Sequence, residues 1–539
     1  MRAGRCDRLK PDASTHTYGS VPQTILLSGH DLTPEEVESV ARWDAPVVLS
    51  PEARQRMAAS RATITDLVEQ GEPIYGVTTG FGDLAMKRIA PADVRRLQEN
   101  LLVSHAVGVG PAHAPEVVRA MLLLRANTMA RGQSGCRPEL VDRLLDFLRL
   151  RLLPVVPEQG SVGASGDLAP LAHLSLPILG RGLADIGDER LSGAEALARV
   201  GLEPMGLEAK EGLALLNGTQ QMTAIGTLVL VAAERLAATA SVVAAMSTEA
   251  LLGTDVAFAA AYHAARPHPG QSRTAAELRH LLRDSGLMRS HHPDLHRVQD
   301  PYSIRCAPQV HGASRDALAH VRGVLQVELN SATDNPLIFP AGSDADPSAA
   351  ATGGGKVISG GNFHGQPVAM AMDYAALAIA ELGSISERRS ALLTDGHRSG
   401  LPAFLAHDPG VDSGMMLLQY TAAALVSEDK VLVHPASADS IPTSANQEDH
   451  VSMGSISARH ARDVLANVER ILALELLCAA QGLDFRLTGS VLPGAGVAEA
   501  HRRVRQRIAR LGTDRDPGPD IASATEMVRS GELLDLLPA

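Results

Sequence analysis

Five long segments rich in alanine, leucine and valine dominate the chain after residue 212. Each is longer than a typical helix of a globular protein, and alanine and leucine favour helix over strand. Helices that are apolar on most sides must be buried against one another, so the pattern predicts a central bundle of long parallel and antiparallel helices. We therefore expect a mainly α protein with a smaller mixed region before the bundle. The segments cover roughly residues 218–252, 311–331, 366–394, 412–427 and 456–482.

The most apolar of these segments runs over residues 222–252 and is interrupted by Glu234 and Arg235. In a membrane span these charges would lie near the middle of the bilayer, at a cost of several kcal/mol. The segment is therefore predicted to be a buried bundle helix, and no membrane is expected as a partner.

Composition places the chain among globular proteins. Of its 539 residues 45% are hydrophobic and 20% are charged, which is the opposite of the balance that produces disorder. The net charge is -12 and no block of basic residues occurs, so nucleic acid is not an expected partner.

The four cysteines lie far apart and form no CxxC pair, at positions Cys6, Cys136, Cys306 and Cys478. This spacing argues against a zinc site or a disulfide framework and fits a reducing compartment. The polar N-terminus lacks the apolar stretch of a signal peptide, so we expect a cytoplasmic protein.

The chain is predicted to fall into four parts: a flexible tail over 1–23, an N-terminal region over 24–210, the long-helix bundle over 211–485 and a helical appendage over 486–539. Helix starts are predicted at Thr33 and Ser50, which can cap the helices that follow them. The glycines before Lys356 do not have the spacing of a phosphate loop, and we interpret 340–356 as a linker.

A run of small residues over 160–167 is the most informative local motif. It reads Gly-Ser-Val-Gly-Ala-Ser-Gly-Asp and follows Pro154 and Pro157 closely. Small residues allow the tight turns that are needed if an amide nitrogen is to fold back onto a carbonyl two residues away. A glycine-rich turn between two helices is the alternative, and the tripeptide Ala164-Ser165-Gly166 alone does not decide between them.

Five further stretches accompany the loop, namely residues 75–82, 213–220, 299–309, 334–336 with 359–365, and 442–453. In order and content these stretches and the loop together resemble the histidine and aromatic amino-acid ammonia-lyases, and the resemblance runs from about residue 30 to the end. The implied fold is a long-helix bundle whose N-terminal region carries the active-site loops, in a homotetramer whose sites each draw on three subunits.

The resemblance implies a cofactor made from the chain itself. In this family the residues that correspond to Ala164, Ser165 and Gly166 cyclise and lose two water molecules. The product is 4-methylidene-imidazole-5-one (MIO), an electrophile that takes up the amine of the substrate and makes it a better leaving group. No external cofactor and no metal are expected.

The resemblance also assigns roles to other residues. Tyr75 or Tyr302 would remove the β-proton, Arg305 and Asn335 would hold the carboxylate, and Gln299 would line the same pocket. The remaining two are Asn217, at the substrate or the prosthetic group, and Phe363, beside the loop. Each residue also has a plain alternative: Tyr75 as a core tyrosine, Asn217 as a helix cap and Arg305 as a solvated charge.

Two features resemble the histidine branch of the family. The pair Ser104-His105 and the run Asn-Gln-Glu-Asp-His that contains Glu448 supply donors and acceptors for a polar imidazole. A phenyl ring would leave the same groups unsatisfied. The implied reaction converts L-histidine into trans-urocanate and ammonia, with His105, Glu448 and Asn217 holding the imidazole and the amine.

Three departures keep other readings open. His364-Gly365-Gln366 resembles the aromatic branch, His311 stands where methionine or leucine is expected, and the loop 341–356 is longer than usual. The alternatives are a tyrosine or phenylalanine ammonia-lyase, an aminomutase, a lyase for a modified histidine, and a helical scaffold without catalysis. The fumarase-like lyases also use long helical bundles, but their signature serine loop is not found.

Overall fold

The computed structural model of the chain describes residues 23–71, 73–80, 87–290, 299–340, 356–487 and 491–538. The predicted tail up to residue 22 and most of the 340–356 linker lie outside these ranges. Helices dominate the described chain, and the prediction of a mainly α protein is confirmed.

The region before the bundle mixes short helices with short strands. Its helices are α1 Pro34–Trp43, α2 Pro51–Glu69, α3 Val94–His105, α4 Pro115–Ala130, α5 Pro138–Arg149, α6 Leu168–Ser175, α7 Gly193–Arg199 and α8 Glu211–Leu216. Its strands are β1 Ile25–Leu27, β2 Val47–Leu49, β3 Val109–Ala112, β4 Leu152–Pro154, β5 Pro157–Gln159, β6 Leu183–Ile186 and β7 Glu189–Ser192. The first two strands pair in parallel, β3 pairs antiparallel with β5, and β4, β6 and β7 form an antiparallel sheet.

Two helix starts follow the predicted capping. Thr33 accepts a hydrogen bond from the Glu36 backbone N–H, and the Glu36 carboxylate accepts one from the Thr33 N–H, which completes a capping box. Ser50 caps α2 by accepting from the backbone N–H of Ala53 at 3.0 Å. These bonds satisfy amide groups that a helix start otherwise leaves without a partner.

The bundle contains the five predicted long helices, here α9, α14, α15, α17 and α18, joined by shorter ones. The elements are α9 Gln220–Ala250, α10 Ala260–Ala264, α11 Pro269–Leu281, α12 Gly286–Ser290, α13 Tyr302–Arg305, α14 Ala307–Leu329, β8 Leu337–Phe339, β9 Lys356–Ile358, α15 Gln366–Thr394, α16 Gly396–Ser399, α17 Met416–Leu432, α18 Gly454–Arg486, α19 Ala495–Arg507 and α20 Gly518–Ser530. The strands β8 and β9 pair antiparallel, and α19 and α20 lie in the predicted C-terminal appendage.

Helix α17 begins and ends a few residues later than the sequence predicts. The side chain of Asp514 accepts hydrogen bonds from the backbone N–H groups of Ser413 and Gly414, at 2.8 and 2.9 Å. Gly414 has a φ of +59°, in the left-handed region, so the helix can begin only after it. This contact joins residues about a hundred positions apart, and no local pattern carries it.

Three of the long helices run parallel. A Cβ atom on Gly365 or on Gly454 would lie 2.5 Å from the Met222 sulfur, so the N-terminal ends of α9, α15 and α18 meet. At the opposite end Arg486 donates to the carbonyl of Ala250 at 3.0 Å, which joins the last residues of α18 and α9. The bundle therefore has two distinct ends, separated by the length of its helices.

Both α9 and α15 are long and apolar enough to cross a membrane by length and composition. However, 83% and 67% of their most apolar windows are buried inside the protein. They pack on each other and on α18, and they belong to a buried apolar cluster that extends along the chain from Ile25 to Leu533. This burial is what a core helix of a bundle requires.

A buried ion pair joins the N-terminal region to the bundle. The ammonium of Lys210 donates to both oxygens of Asp334, at 2.9 and 2.8 Å, and neither side chain has exposed surface. Burial lowers the pKa of Lys210, and the adjacent carboxylate opposes this shift. Removal of one partner would leave the charge of the other buried without compensation.

The substitution Lys210→Met should lower the free energy of unfolding by about 3–5 kcal/mol, because Asp334 would stay buried without the ammonium that donates to both of its oxygens. Differential scanning calorimetry of the variant and the wild type measures the change in melting temperature. Lys430→Met is the matched control, since Lys430 is exposed on α17 and its loss should change the melting temperature little. Equal melting temperatures for the two variants would contradict this account.

Candidate active site

The loop of small residues is held in an unusual conformation by two glycines. Gly163 and Gly166 have φ values of +66° and +74°, and they bracket Ala164 and Ser165. A Cβ atom on Gly166 would collide with the carbonyl of Gly218, and the next residue, Asp167, donates its N–H to that same carbonyl at 2.6 Å. The loop therefore lies directly on the backbone beside Asn217.

A second segment supports the other side of the loop. Ser452 donates its hydroxyl to the Gly163 carbonyl at 3.1 Å, and the N–H of Met453 donates to the Val162 carbonyl at 2.9 Å. The same segment carries Glu448 to the middle of the loop. The Ser165 hydroxyl donates to Glu448 Oε1 at 3.0 Å, so this carboxylate faces the loop and is not an isolated surface charge.

The other oxygen of Glu448 is also engaged. Thr443 donates its hydroxyl to Oε2 at 2.7 Å, and a pair of backbone bonds links residues 443 and 448 into a tight turn. The carboxylate is thus fixed from behind by Thr443 and points its first oxygen at Ser165. A carboxylate in this position can accept a proton or hold a cationic group.

His105 is the last residue of α3 and lies within the electrostatic field of Glu448. Burial lowers its pKa, while a backbone hydrogen bond involving Leu101 and the charge of Glu448 oppose the shift. The Ser104 hydroxyl lies 3.0 Å from Nδ1 of the ring. A neutral imidazole of this kind offers one donor and one acceptor at neutral pH.

Asn217 and Asn335 meet on the third side of the loop. The Asn217 side-chain NH₂ donates to the Asn335 carbonyl at 3.3 Å, and Asn217 Oδ1 is buried with no hydrogen-bond partner among the described residues. The Asn335 amide is already engaged, since it donates to Ser359 at 3.1 Å and accepts from the Gly360 N–H at 2.7 Å. The free acceptor of this pair is therefore Asn217 Oδ1.

Phe363 lies in the segment that follows Ser359 and Gly360, the two hydrogen-bond partners of the Asn335 side chain. Its side chain is half-buried. Gly365 follows two residues later, and a Cβ atom on Gly365 would come within 2.9 Å of the Ser452 hydroxyl. His364 contacts the His450 carbonyl through Nε2 at 3.1 Å. His364 and Gly365 thus lie against the segment that supports the loop.

Tyr75 lies half-buried on the turn between α2 and α3 and packs against the apolar core. Gln98 of α3 donates to the carbonyl of Gly76 at 3.0 Å, which fixes this turn on the helix that ends at His105. Phe81 and Gly82, the end of the same motif, lie outside the described residues.

Asp167 is the site residue that the sequence interpretation missed. It is fully buried beneath the loop, accepts from the Ser161 hydroxyl at 2.8 Å and accepts from the Met222 N–H at 3.0 Å. Burial outweighs these donors and raises its pKa to about 6. One signal was available, because Asp167 is the only carboxylate between residues 160 and 173.

The remaining predicted residues lie at the other end of the bundle. Tyr302 and Arg305 begin and end α13, and the Arg305 guanidinium lies 4.6 Å from the centre of the Tyr302 ring. Asp300 beside them accepts from the Thr254 N–H at 2.8 Å, just beyond the C-terminal end of α9. Gln299 lies exposed next to Asp300.

Helix α9 separates these residues from the loop. It has 31 residues, begins beside Gly218 and ends near Thr254. At 1.5 Å per residue its length is about 45 Å, which no side chain bridges. Within one chain, therefore, the structure brings together Ser165, Glu448, His105, Asn217 and Asn335, but not Gln299, Tyr302 or Arg305.

The described residues contain no group of three or more histidine, cysteine, aspartate and glutamate side chains placed to hold a metal ion. The loop itself has the features that an internal cyclisation needs. Its left-handed glycines permit a tight backbone turn, the Ser165 hydroxyl has a carboxylate partner, and buried Asn217 Oδ1 faces the site without a partner.

Comparisons with known proteins show relatives over nearly the whole chain. Residues 32–506 match the family model described as aromatic amino acid lyase. The histidine ammonia-lyase of Symbiobacterium thermophilum is 55% identical over 517 residues, which cover 96% of this chain and 99% of that protein.

Solved structures share the whole fold. The histidine ammonia-lyase from Trypanosoma cruzi superimposes with a TM-score of 0.86 at 43% identity and covers 95% of both chains. The tyrosine aminomutase from Streptomyces globisporus superimposes with a TM-score of 0.88 at 39% identity, over 96% of this chain and 98% of that one. The chain belongs to the aromatic amino acid lyase family.

Proposed function

We propose that the chain is a histidine ammonia-lyase, which eliminates ammonia from L-histidine to give trans-urocanate. The observation that carries this proposal is the hydrogen bond between Ser165 of the loop and Glu448, whose charge also acts on His105. A half-buried carboxylate and a neutral imidazole suit a polar ring, and a phenyl ring would offer neither of them a hydrogen bond. The names of the bacterial and trypanosomal relatives support the same substrate.

We infer that the prosthetic group is MIO, made from Ala164, Ser165 and Gly166. When formed, it supplies an electrophile that activates the amine of the substrate for departure. The left-handed glycines and the contact of the loop with Gly218 hold the backbone in a tight turn, which supports the proposed cyclisation.

The other residues bind the substrate and move its protons. The neutral ring of His105 and the carboxylate of Glu448 would hold the imidazole ring of the substrate. Asn217 Oδ1 would accept a hydrogen bond from the substrate amine. Arg305 would hold the carboxylate through its planar fork, assisted by Asn335 and Gln299. Orientation of this kind supplies a large part of the rate enhancement in many enzymes.

Removal of the β-proton is assigned to Tyr75 or Tyr302. Tyr75 lies on the turn that is anchored to α3, whereas Tyr302 is 70% exposed at the far end of the bundle. Either phenol, once deprotonated, can act as a general base within hydrogen-bond reach of the substrate.

A complete site then needs more than one copy of the chain, because α9 separates Arg305 from Ser165 by about 45 Å. We propose a homotetramer with shared sites. Large apolar side chains lie exposed on the outer faces of α15 and α17, as expected for helices that pack against another copy. They are Met370, Tyr374, Leu377, Leu417 and Tyr420.

The proposed compartment is the cytoplasm. The three cysteines in the described ranges, Cys136, Cys306 and Cys478, are free thiols. Burial raises the pKa of Cys136 and of Cys478 to about 12, so both are inert thiols in the core.

An aminomutase or an aromatic lyase is the second candidate. It is favoured by His364-Gly365-Gln366, which resembles the aromatic branch, and by the overall likeness to a tyrosine aminomutase. Ultraviolet assays with L-histidine, L-tyrosine and L-phenylalanine separate the candidates, because each elimination gives a conjugated acrylate with its own absorbance. Urocanate from histidine alone supports the proposal, and turnover of an aromatic substrate instead would overturn it.

The substitution Ser165→Ala should abolish the prosthetic group and nearly all activity, because its hydroxyl is lost as water when the methylidene forms. Intact mass spectrometry checks this directly: the wild type should be lighter than its sequence by two water molecules, and the variant should have lost no water. Full turnover by the variant would contradict the MIO proposal. A wild-type mass equal to that of the unmodified sequence would also contradict it and would favour a scaffold without catalysis.

The substitution Glu448→Gln should lower kcat about 10²- to 10⁴-fold, since the amide keeps the shape but cannot take a proton or hold a cation. Intact mass should still show the loss of two water molecules, which separates a failure of catalysis from a failure of cyclisation. Glu428→Gln, at an exposed glutamate of α17, is the matched control. Wild-type kcat in the Glu448→Gln variant would remove Glu448 from the mechanism.

Subunit complementation tests the shared site. The variants Ser165→Ala and Arg305→Met should each be inactive alone. When the two are unfolded together and refolded as mixed tetramers, about one quarter of the sites should combine an intact loop with an intact arginine. Urocanate formation measures the recovery. Mixed tetramers with no activity would show that each site is built within one chain.

A further inference from the structure

His311 is a buried polar residue that the proposed chemistry does not use. It lies in the second turn of α14, has no exposed surface, and stands where an apolar side chain is expected. Its Nε2 lies 3.4 Å from Nη1 of Arg389 on α15, and its Nδ1 has no partner in the described part of the chain. A buried imidazole next to a guanidinium needs a reason, because an apolar residue would cost less to bury.

Arg389 is the centre of a buried network that joins three long helices. Its Nε and Nη2 donate to the two oxygens of Glu475 on α18, at 2.5 and 2.8 Å. Ser247 of α9 donates to the same carboxylate at 2.6 Å. Both charged side chains are fully buried, and Nη1 is the nitrogen of Arg389 that makes no bond to Glu475.

The Nη1 group of Arg389 contacts two acceptors. One is His311 Nε2, and the other is the backbone carbonyl of Ser303, also at 3.4 Å. Since a guanidinium nitrogen only donates, His311 Nε2 must carry its lone pair and the ring proton must lie on Nδ1. Burial lowers the pKa of His311 well below its usual value, and the charges of Arg389 and Arg315 lower it further, so the ring is neutral.

We propose that His311 is a positioning residue for the turn that carries Tyr302 and Arg305. By accepting from Arg389, it holds the guanidinium under the carbonyl of Ser303. Helix α13 is a single turn of four residues, so a shift at Ser303 also moves Tyr302 and Arg305. The inference rests on the proposed function, in which Arg305 binds the substrate carboxylate.

The test compares three substitutions at this one position. His311→Met keeps an apolar side chain of similar volume without an acceptor, His311→Gln keeps an acceptor at similar reach, and His311→Asn is polar but too short. Loss of one hydrogen bond predicts a KM for L-histidine about 3- to 10-fold higher in the Met and Asn variants, with little change in kcat. The Gln variant should stay close to the wild type.

Inhibition by substrate fragments separates the clamp from a general loosening of the site. Imidazolepropionate keeps the carboxylate and histamine lacks it. In the Met and Asn variants the inhibition constant of imidazolepropionate should rise with KM, while that of histamine should not change. If the Met variant does not fold, the comparison of Asn with Gln carries the same test.

A wild-type KM in the Met or Asn variant would overturn the inference, and so would an equal rise in the inhibition constants of both inhibitors. A KM in the Gln variant as high as in the Asn variant would also count against it, because the acceptor would then have no effect. The wild-type protein is assayed beside them. Absence of urocanate from the wild type would be a failure of the proposed function, and not of the role of His311.

Discussion

The contact between the backbones of Gly166 and Gly218 is the constraint on which the rest of the site depends. Neither residue tolerates a side chain, since a Cβ atom on Gly166 would strike the Gly218 carbonyl and one on Gly218 would strike Arg125. The contact places the loop at the start of α9 and next to Asn217. Glu448 contacts the same loop through its bond with Ser165.

The length of α9 determines how far apart the two halves of the proposed site lie. A rigid helix of 31 residues holds the loop at one end of the bundle and the Arg305 turn at the other. The two halves of the proposed site cannot approach each other by a loop movement, because the core that separates them is continuously buried. In the proposed homotetramer, the guanidinium of one copy would lie beside the loop of another copy.

The sequence predicted most of the fold because helix length and composition are local properties. The bounds of α9, α14, α15 and α18 follow from runs of apolar residues, and the starts of α1 and α2 follow from Thr33 and Ser50. Helix α17 begins later than predicted because the carboxylate of Asp514, which fixes its start, lies in a distant segment. Local sequence does not reveal a contact of that kind.

The same distinction applies to the site. The loop residues 164–166 and the motif around Glu448 could be found by resemblance, and the structure brings Ser165 and Glu448 into contact. The supporting groups could not be found in this way. Ser452 holds the loop from 289 positions away, and Lys210 pairs with Asp334 across 124 positions. Such supports depend on the folded bundle, which no short motif describes.

The meeting of three helix starts at the loop sets its electrostatics. The N-terminal ends of α9, α15 and α18 carry partial positive charge, and each favours a nearby negative charge by about 0.3–1 kcal/mol. Asp167 lies at this point and accepts from the first turn of α9, yet burial still raises its pKa to about 6. Desolvation therefore exceeds the favourable field of the helices.

The raised pKa of Asp167 also has a direction for stability. Between its unfolded value and about 6 the folded chain binds this proton more tightly than the unfolded chain, so ionisation lowers stability as pH rises through that range. Above about pH 6 the penalty is fully present, and other contacts must offset it. Asp167 thus costs stability at neutral pH and lies directly beneath Ser165 and Gly166. Buried groups with perturbed pKa values of this kind cluster at functional sites, which favours a role for Asp167 in the chemistry of the loop.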